Sequence, residues 1–447
     1  MKIVDNEKSI FLQRHSVPEN GKIAIFGAGQ NGKILHRLFK LFKINTDIFL
    51  DNNSVKHGST VIDDVICYKP SNMLASSDEM LVIVTVQNNP NSIKEDLLNK
   101  GFRYVILMCD VENEFAKRIE EMIDDFGIDL VSYMAESGAG TDKCLDAGVF
   151  PMQVHFYQPI PDIKEIEQRN VWSKVSELNG ITWEPDKFIA NMQEIAQFQP
   201  EKTWAREPSK NTMEFCLENN SFSYICASFL YGMIRKKRPK RIIEVGSGNS
   251  SKVILKALTD NGDIIQYNTI QYNTIQYNTI QYNTIQYNTK YTIIDPYCAF
   301  EESNFAPFNV EIMRMLVEET DISLFKELEE NDILFIDSSH AVKIGGDVNF
   351  EILDILPILA PGVVIHFHDI PMPYEYSKIY ATNPKFRVFW TESYLLQAFL
   401  QFNSQYEILL PAAYLCTEKL EIVKECFPSM ANPFDWSSGS FWIRRKI

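Results

Sequence analysis

Four predicted strands of this chain finish on or beside a carboxylate, and that regularity restricts the fold more than any other feature. Arg241–Val245 carries Glu244 just before Gly246-Ser247-Gly248, Tyr291–Ile294 is closed by Asp295, Ile333–Ile336 by Asp337, and Val363–Phe367 leads to Asp369. In an open parallel sheet the ligand crevice lies outside the carboxyl ends of the strands, so acids at successive ends line one mouth. Glycines 246 and 248 allow close backbone approach, and an acid ending the next strand can grip ribose hydroxyls. The pattern predicts a bound nucleoside. Position 251 is Ser, so the third glycine that packs a helix start against a dinucleotide pyrophosphate is missing, which favours a cofactor without phosphates.

The intervening segments alternate as an α/β chain does. Amphipathic stretches open at Asn249 and span Gly346–Leu356, Val310–Leu316 reads as another strand, and a long helix is expected over Thr391–Phe402. Tyr406–Leu410 and Ser440–Arg444 read as two closing strands in an antiparallel hairpin ending a parallel sheet. Upstream, helices are expected at Asp186–Gln197 and Ser221–Arg235, and the Pro-rich aromatic stretch Phe150–Asp162 reads as an extended arm or lid.

A second, independent α/β pattern precedes these elements. The strand Lys22–Phe26 runs into Gly27-Ala28-Gly29-Gln30-Asn31-Gly32 and an amphipathic helix, Lys33–Phe42. Thr46–Leu50 then ends at Asp51, the spacing of a dinucleotide fingerprint and its ribose-binding acid. With strands at Leu81–Val86 and Tyr104–Met108, residues 1–110 read as a Rossmann-like domain binding a nucleotide or nucleotide sugar through Gly27, Gly29, Gly32 and Asp51. A helical linker follows over 111–150, broken at Glu136–Asp142, and residues 151–447 form the second domain. The fold class is therefore α/β, with two Rossmann-like domains.

Residues 265–289 are tandem copies of Ile-Gln-Tyr-Asn-Thr. A five-residue period scatters the isoleucines around a helix and sends them to alternating faces of a strand, so neither conformation gains a buried face. The expectation is an exposed insertion entering the second acid-ended strand from the edge opposite the crevice. A repeated ATACA unit would encode the pentapeptide, and gain or loss of one unit would then shift the reading frame; an inert expansion is the alternative. Such slippage suits an on/off switch of genes that alter a bacterial surface.

A formal net charge of −16 argues against a nucleic-acid partner, which needs clustered cations. The one dense basic run, Arg235–Arg241, reads as a helix end leading into a strand. Eight cysteines show no metal-type spacing, no signal-peptide pattern is present, and no apolar run approaches the ~20 residues that span a bilayer. The expected setting is cytoplasmic and reduced, with no membrane span; a homo-oligomer stays open.

Residues 150–447 resemble the class I S-adenosylmethionine-dependent methyltransferases, in particular a bacterial branch with Asp337-Ser338-Ser339-His340 after one strand and His366-Phe367-His368-Asp369 after the next. The arm FYQPIPD (156–162), the helix FWTESYLLQAFL (389–400) and the ending SFWIRR (440–445) share the likeness. The resemblance implies that Glu244, Gly246, Gly248 and Asp295 bind S-adenosylmethionine. A neutral hydroxyl is a poor nucleophile and needs a base or a metal. The pattern is similar to that of metal-dependent sugar O-methyltransferases, which implies Asp337 and Asp369 as ligands of Mg²⁺ and His340 as the general base. A third acidic ligand is not identifiable, and His366 and His368 read as packed strand histidines. The first domain resembles those preceding bacterial acyl- and methyltransferases of glycan pathways. The expected activity is O-methylation of a sugar hydroxyl in surface-glycan biosynthesis, on a small-molecule or glycan-precursor substrate such as a nucleotide sugar. An NAD-dependent oxidoreductase, a hydroxylase of the same fold branch and a non-catalytic nucleotide-binding scaffold remain alternatives.

Overall fold

The structure, a computed structural model, describes residues 6–86, 89–123, 127–198, 204–209, 211–219, 221–262, 289–306, 308, 310–384, 387–428 and 438–446. Contacts divide the chain into two units, Met1–Gln153 and Val154–Ile447. The pentapeptide repeat falls outside the described residues except for its last threonine.

In the first unit β1 (Lys22–Phe26), β2 (Ile48–Leu50), β3 (Thr60–Ile62), β4 (Val65–Tyr68), β5 (Met80–Val84) and β6 (Tyr104–Leu107) form one sheet. Its order is β3-β4-β2-β1-β5-β6, parallel throughout except for the antiparallel edge pair β3–β4. Period-two alternation divides the apolar side chains between the faces. Ile23, Ile25, Leu81 and Ile83 pack with Leu35 and Phe39, while Ala24, Phe26, Val82 and Val84 pack with Leu97 and Phe102. Both faces are covered, which explains why β1 and β5 read as unbroken apolar runs. The β3–β4 pair escaped the sequence reading because its strands are short and half exposed.

The second unit carries β7 (Arg241–Val245), β8 (Lys290–Ile294), β9 (Val310–Met313), β10 (Ile333–Ile336), β11 (Val364–Phe367), β12 (Tyr406–Pro411) and β13 (Phe441–Arg445). The order is β12-β13-β11-β10-β7-β8-β9, with β13 antiparallel to both neighbours and the pairs among β7 to β11 parallel. The order reverses between β7 and β10, so the crevice of the doubly wound sheet opens above their carboxyl ends. The antiparallel closure is present, but β12 and β13 are not joined by a short turn. Helices Ala412–Glu418 and Leu420–Cys426 lie between them, room the chain needs to insert β13 inside β12. Arg235, Lys236 and Lys237 occupy the last turn of the helix Tyr224–Lys237, where cations oppose the negative end of its dipole. The helix expected over Gly346–Leu356 is irregular: a short α-turn, a π-helix over Phe350–Ile355 and a 3-10 turn. Among the described residues no helix is long and apolar enough to cross a membrane.

Candidate active site

The glycine loop and three strand ends meet where the sequence pattern placed them. Gly246 has φ +81°, and a Cβ there would sit 2.1 Å from the Asp337 carbonyl oxygen. Only glycine lets β7 turn this close to the end of β10. A Cβ at Gly248 would meet nothing within 4 Å, so its exposed backbone faces open space. Ser247 donates to Asp295 Oδ2, and the Tyr297 amide donates to Oδ1 at 2.8 Å, fixing the carboxylate that ends β8 beside the loop.

Glu244 lies lower. It is fully buried, and Oε2 accepts hydrogen bonds from Tyr291 and, at 2.8 Å, from Ser251. Burial pushes its carboxyl up to about 7, against the hydrogen bonds of Tyr291, Ser250 and Ser251. Position 251, where a dinucleotide loop has its third glycine, thus ties the helix Asn249–Asp260 to β7. The geometry gives Glu244 a clamp under the loop.

The second half of the site joins Asp337, Asp369, His340 and His368. His340 Nε2 lies 3.3 Å from Asp337 Oδ1 and 3.7 Å from Asp369 Oδ2, while its Nδ1 is 2.8 Å from Glu392 Oε2. His368 Nδ1 lies 3.5 Å from Asp337 Oδ1 and 3.4 Å from Asp369 Oδ2. His340 and Asp369 both hold left-handed backbone, φ +58° and +53°, a conformation costly for side-chain-bearing residues and concentrated at functional sites.

These contacts set the charges. Burial works against a charged His340, yet Asp337 and Glu392 push the ring up to about 10. His368 is likewise raised, because Asp369 and Asp337 outweigh its burial. Burial would raise both aspartates, but His368 and His340 hold them below the ordinary carboxylate range. Behind them, burial raises the carboxyls of Glu392 and Glu351. Glu351, on the π-helix, accepts from Ser338 Oγ at 3.0 Å and so steadies the loop that carries His340. π-Bulges of this kind occur frequently at functional sites.

Asp337, His368 and Asp369 offer one ligand atom each, all within 4.8 Å of one another. Neither His368 nitrogen has a hydrogen-bond partner among the described residues, although the ring is buried and stacks on Phe222 at 5.1 Å. Two carboxylates and the His368 imidazole make a donor set that fits a divalent cation. The nitrogen makes it less oxygen-pure than Mg²⁺ prefers and equally suited to Mn²⁺.

His368 was read from the sequence as a packed strand histidine, and the structure corrects that. His366 does pack, buried against Phe335 at 4.1 Å and 3.1 Å from Ser440 Oγ, and burial holds it well below the usual imidazole range. His368 is one residue past β11 and turns to the aspartates. Glu392 was missed too; its only sequence signal was an acid opening an otherwise apolar helix, Glu392–Leu400.

In the first unit the three glycines divide their labour. A Cβ at Gly27 (φ +108°) would meet Thr85 Oγ1 at 2.7 Å, one at Gly32 would meet the Gly27 carbonyl at 2.1 Å, and one at Gly29 would meet nothing within 4 Å. Tight turn, close helix packing and open approach are the three tasks of such a fingerprint. Asp51 accepts from the Ala28 amide at 2.9 Å, the Asn53 amide at 2.9 Å and Lys56 Nζ at 2.9 Å. Burial would raise its carboxyl, but these bonds hold it below the ordinary range.

Residues 243–370 match the family model of a methyltransferase domain. A protein of Archaeoglobus fulgidus described only as uncharacterized is 27% identical over 188 residues, 40% of this chain and 74% of its own length. Among solved structures, an SAH-bound methyltransferase of Podospora anserina shares 15% identity at a TM-score of 0.28, covering 64% of this chain and 98% of its own. An O-methyltransferase of Bacillus cereus in complex with SAH shares 11% identity, also at 0.28, covering 58% of this chain and 91% of its own. Residues 243–370, from within β7 through the loop after β11, are thus similar to a methyltransferase domain.

Proposed function

We propose that the second unit transfers the methyl group of S-adenosylmethionine to a hydroxyl of a sugar or glycan precursor, assisted by a divalent cation, in building a bacterial surface glycan. The observation that carries the reading is the convergence of Asp337, Asp369 and His368 on one point beside His340, at the same sheet edge as Gly246 and Gly248. The cofactor would lie over Gly248, where the backbone is open, with its ribose toward Asp295.

Methyl transfer to an alcohol forms a C–O bond as the sulfonium C–S bond breaks, and the hydroxyl proton must leave. His340 would take it. Glu392 fixes Nδ1 as the donor side, leaving Nε2 to face the acceptor. Asp337, Asp369 and His368 would hold Mg²⁺ or Mn²⁺, which supplies a Lewis acid that lowers the pKa of the acceptor hydroxyl. A cation held there would offset the charge of the two aspartates and weaken their hold on a proton at Nε2, so His340 would become a base at lower pH. The first unit would hold a nucleotide or nucleotide sugar over Gly27, Gly29 and Gly32, beside Asp51, and so position the precursor.

The test is calorimetry of the purified chain with S-adenosylmethionine, with and without Mg²⁺ or Mn²⁺, followed by methyl-labelling of candidate acceptors. Tight cofactor binding with cation-dependent transfer to oxygen supports the reading. Absence of S-adenosylmethionine binding, or transfer that survives chelation unchanged, refutes it.

A further inference from the structure

A cavity of about 250 Å³ opens in the second unit beside the catalytic cluster, walled by Trp172, Tyr376, Tyr380, Trp390 and Tyr394, with Glu375 among its lining residues. It is smaller than the ~300–1,000 Å³ of common ligand pockets and suits a single ring. Trp390 is the shared wall: its ring centroid is 4.6 Å from that of His340 and 4.4 Å from that of Tyr380. Thr391, also in the lining, donates its amide to the His340 carbonyl at 2.9 Å. The cavity and His340 thus share the wall made by Trp390 and Thr391.

Its electrostatics are one-sided. Glu375 is the only charged side chain among the described lining residues. Its Oε1 accepts from Tyr394 and, at 2.8 Å, from the Tyr376 amide, but no described hydrogen bond or ion pair reaches Oε2. The nearby Lys378 turns to Glu167 at 2.7 Å instead. Trp172 also keeps a buried indole N–H without an acceptor among the described residues. Tyr376 stands edge-on to both Trp390 and Tyr394, at 6.0 Å from each. Aromatic faces around a carboxylate that lacks a cation are the chemistry of an ammonium cage. A phosphate would find no cation among the described lining residues.

We propose that this cavity is the acceptor subsite and selects a single-ring alcohol bearing an amino group, an amino sugar, whose ammonium sits at Glu375 while a hydroxyl reaches His340. The inference rests on the methyltransferase reading above and adds the charge of the acceptor. In this arrangement the diphosphate of any nucleotide-sugar precursor lies outside the cavity.

The test uses the full chain without cofactor or added cation and reads tryptophan fluorescence during titration with glucosamine, galactosamine and mannosamine. Their N-acetyl forms, the parent hexoses and glucose 6-phosphate are titrated alongside. At least one amino hexose should bind about tenfold or more tighter than its N-acetyl form and parent. Glu375→Gln should erase that preference while leaving S-adenosylmethionine affinity and the melting temperature as in the unmodified chain. Equal binding of charged and N-acetylated sugars by the unmodified chain, or tightest binding of the phosphate, overturns the proposal without any variant. An amine preference with no S-adenosylmethionine binding would sink the methyltransferase reading alone. Methyl transfer without an amine preference would sink this inference alone.

Discussion

Two alanine substitutions two residues apart should behave oppositely. In Gly246→Ala the new methyl lands 2.1 Å from the Asp337 carbonyl oxygen on a backbone at φ +81°. The left-handed conformation alone costs about 1–2 kcal/mol for a residue with a Cβ. Relieving the contact parts β7 from β10 and strains two backbone bonds, Gly246 N–H to Ile294 O and Asp337 N–H to Val245 O, both 2.9 Å. Each is worth about 0.5–1.5 kcal/mol. The sum is about 2–5 kcal/mol, a fall in Tm of roughly 5–15 °C for a unit of this size. Gly248→Ala meets nothing within 4 Å, so its Tm should fall clearly less than that of Gly246→Ala. Its methyl instead occupies the space assigned to the cofactor, and the Kd for S-adenosylmethionine should rise about tenfold or more. Differential scanning fluorimetry and calorimetry on both variants decide the matter. A Gly246→Ala chain that melts like the original, or a Gly248→Ala chain that binds cofactor as before, would refute the geometry of the loop.

Other expectations follow from the same site. Glu392→Gln should lower kcat about 10- to 100-fold while leaving the KM for S-adenosylmethionine within about twofold, because it disturbs only the imidazole behind the reacting atoms. His368→Ala should abolish Mn²⁺ binding seen by electron paramagnetic resonance; retention of unmodified affinity would remove His368 from the ligand set. In chelator-treated protein His340 has a folded pKa raised from 6.5 to about 10. Its stabilising contribution is full below pH 6.5 and is lost as pH rises toward 10, so Tm should fall over that window. His340→Asn should flatten that part of the profile. Removing one pentapeptide copy should leave the S-adenosylmethionine Kd unchanged by calorimetry, since α-helix and strand rejoin at the far edge of the sheet.

The sheet was legible because its strands are buried on both faces and stop at acids. Arg241–Val245 and Ile333–Ile336 were read to the residue, and the other strands of the second unit to within one to three. The glycine loop was legible for the same reason: no other residue type turns the chain there. What the sequence hid depends on rotation about single bonds and on distant partners. His368 follows a buried histidine two residues earlier, and nothing local says which of the pair turns to solvent-facing carboxylates. Glu392 approaches His340 from 52 positions away, and its helix reads simply as apolar. Glu351 sits on a π-turn, a backbone irregularity without a compositional mark.

The polarity of the parallel sheet has a consequence for evolvability. The repeat leaves the described fold after Gly262 and returns at Thr289, whose hydroxyl is pinned to the Pro239 carbonyl at 2.8 Å. That anchor lies at the amino end of β8, a full strand length from Asp295. If a slippage-prone unit encodes the repeat, in-frame changes in copy number would leave the candidate site untouched, while a frame change would silence the chain. The fold admits this segment at one pole, while the candidate site lies at the other.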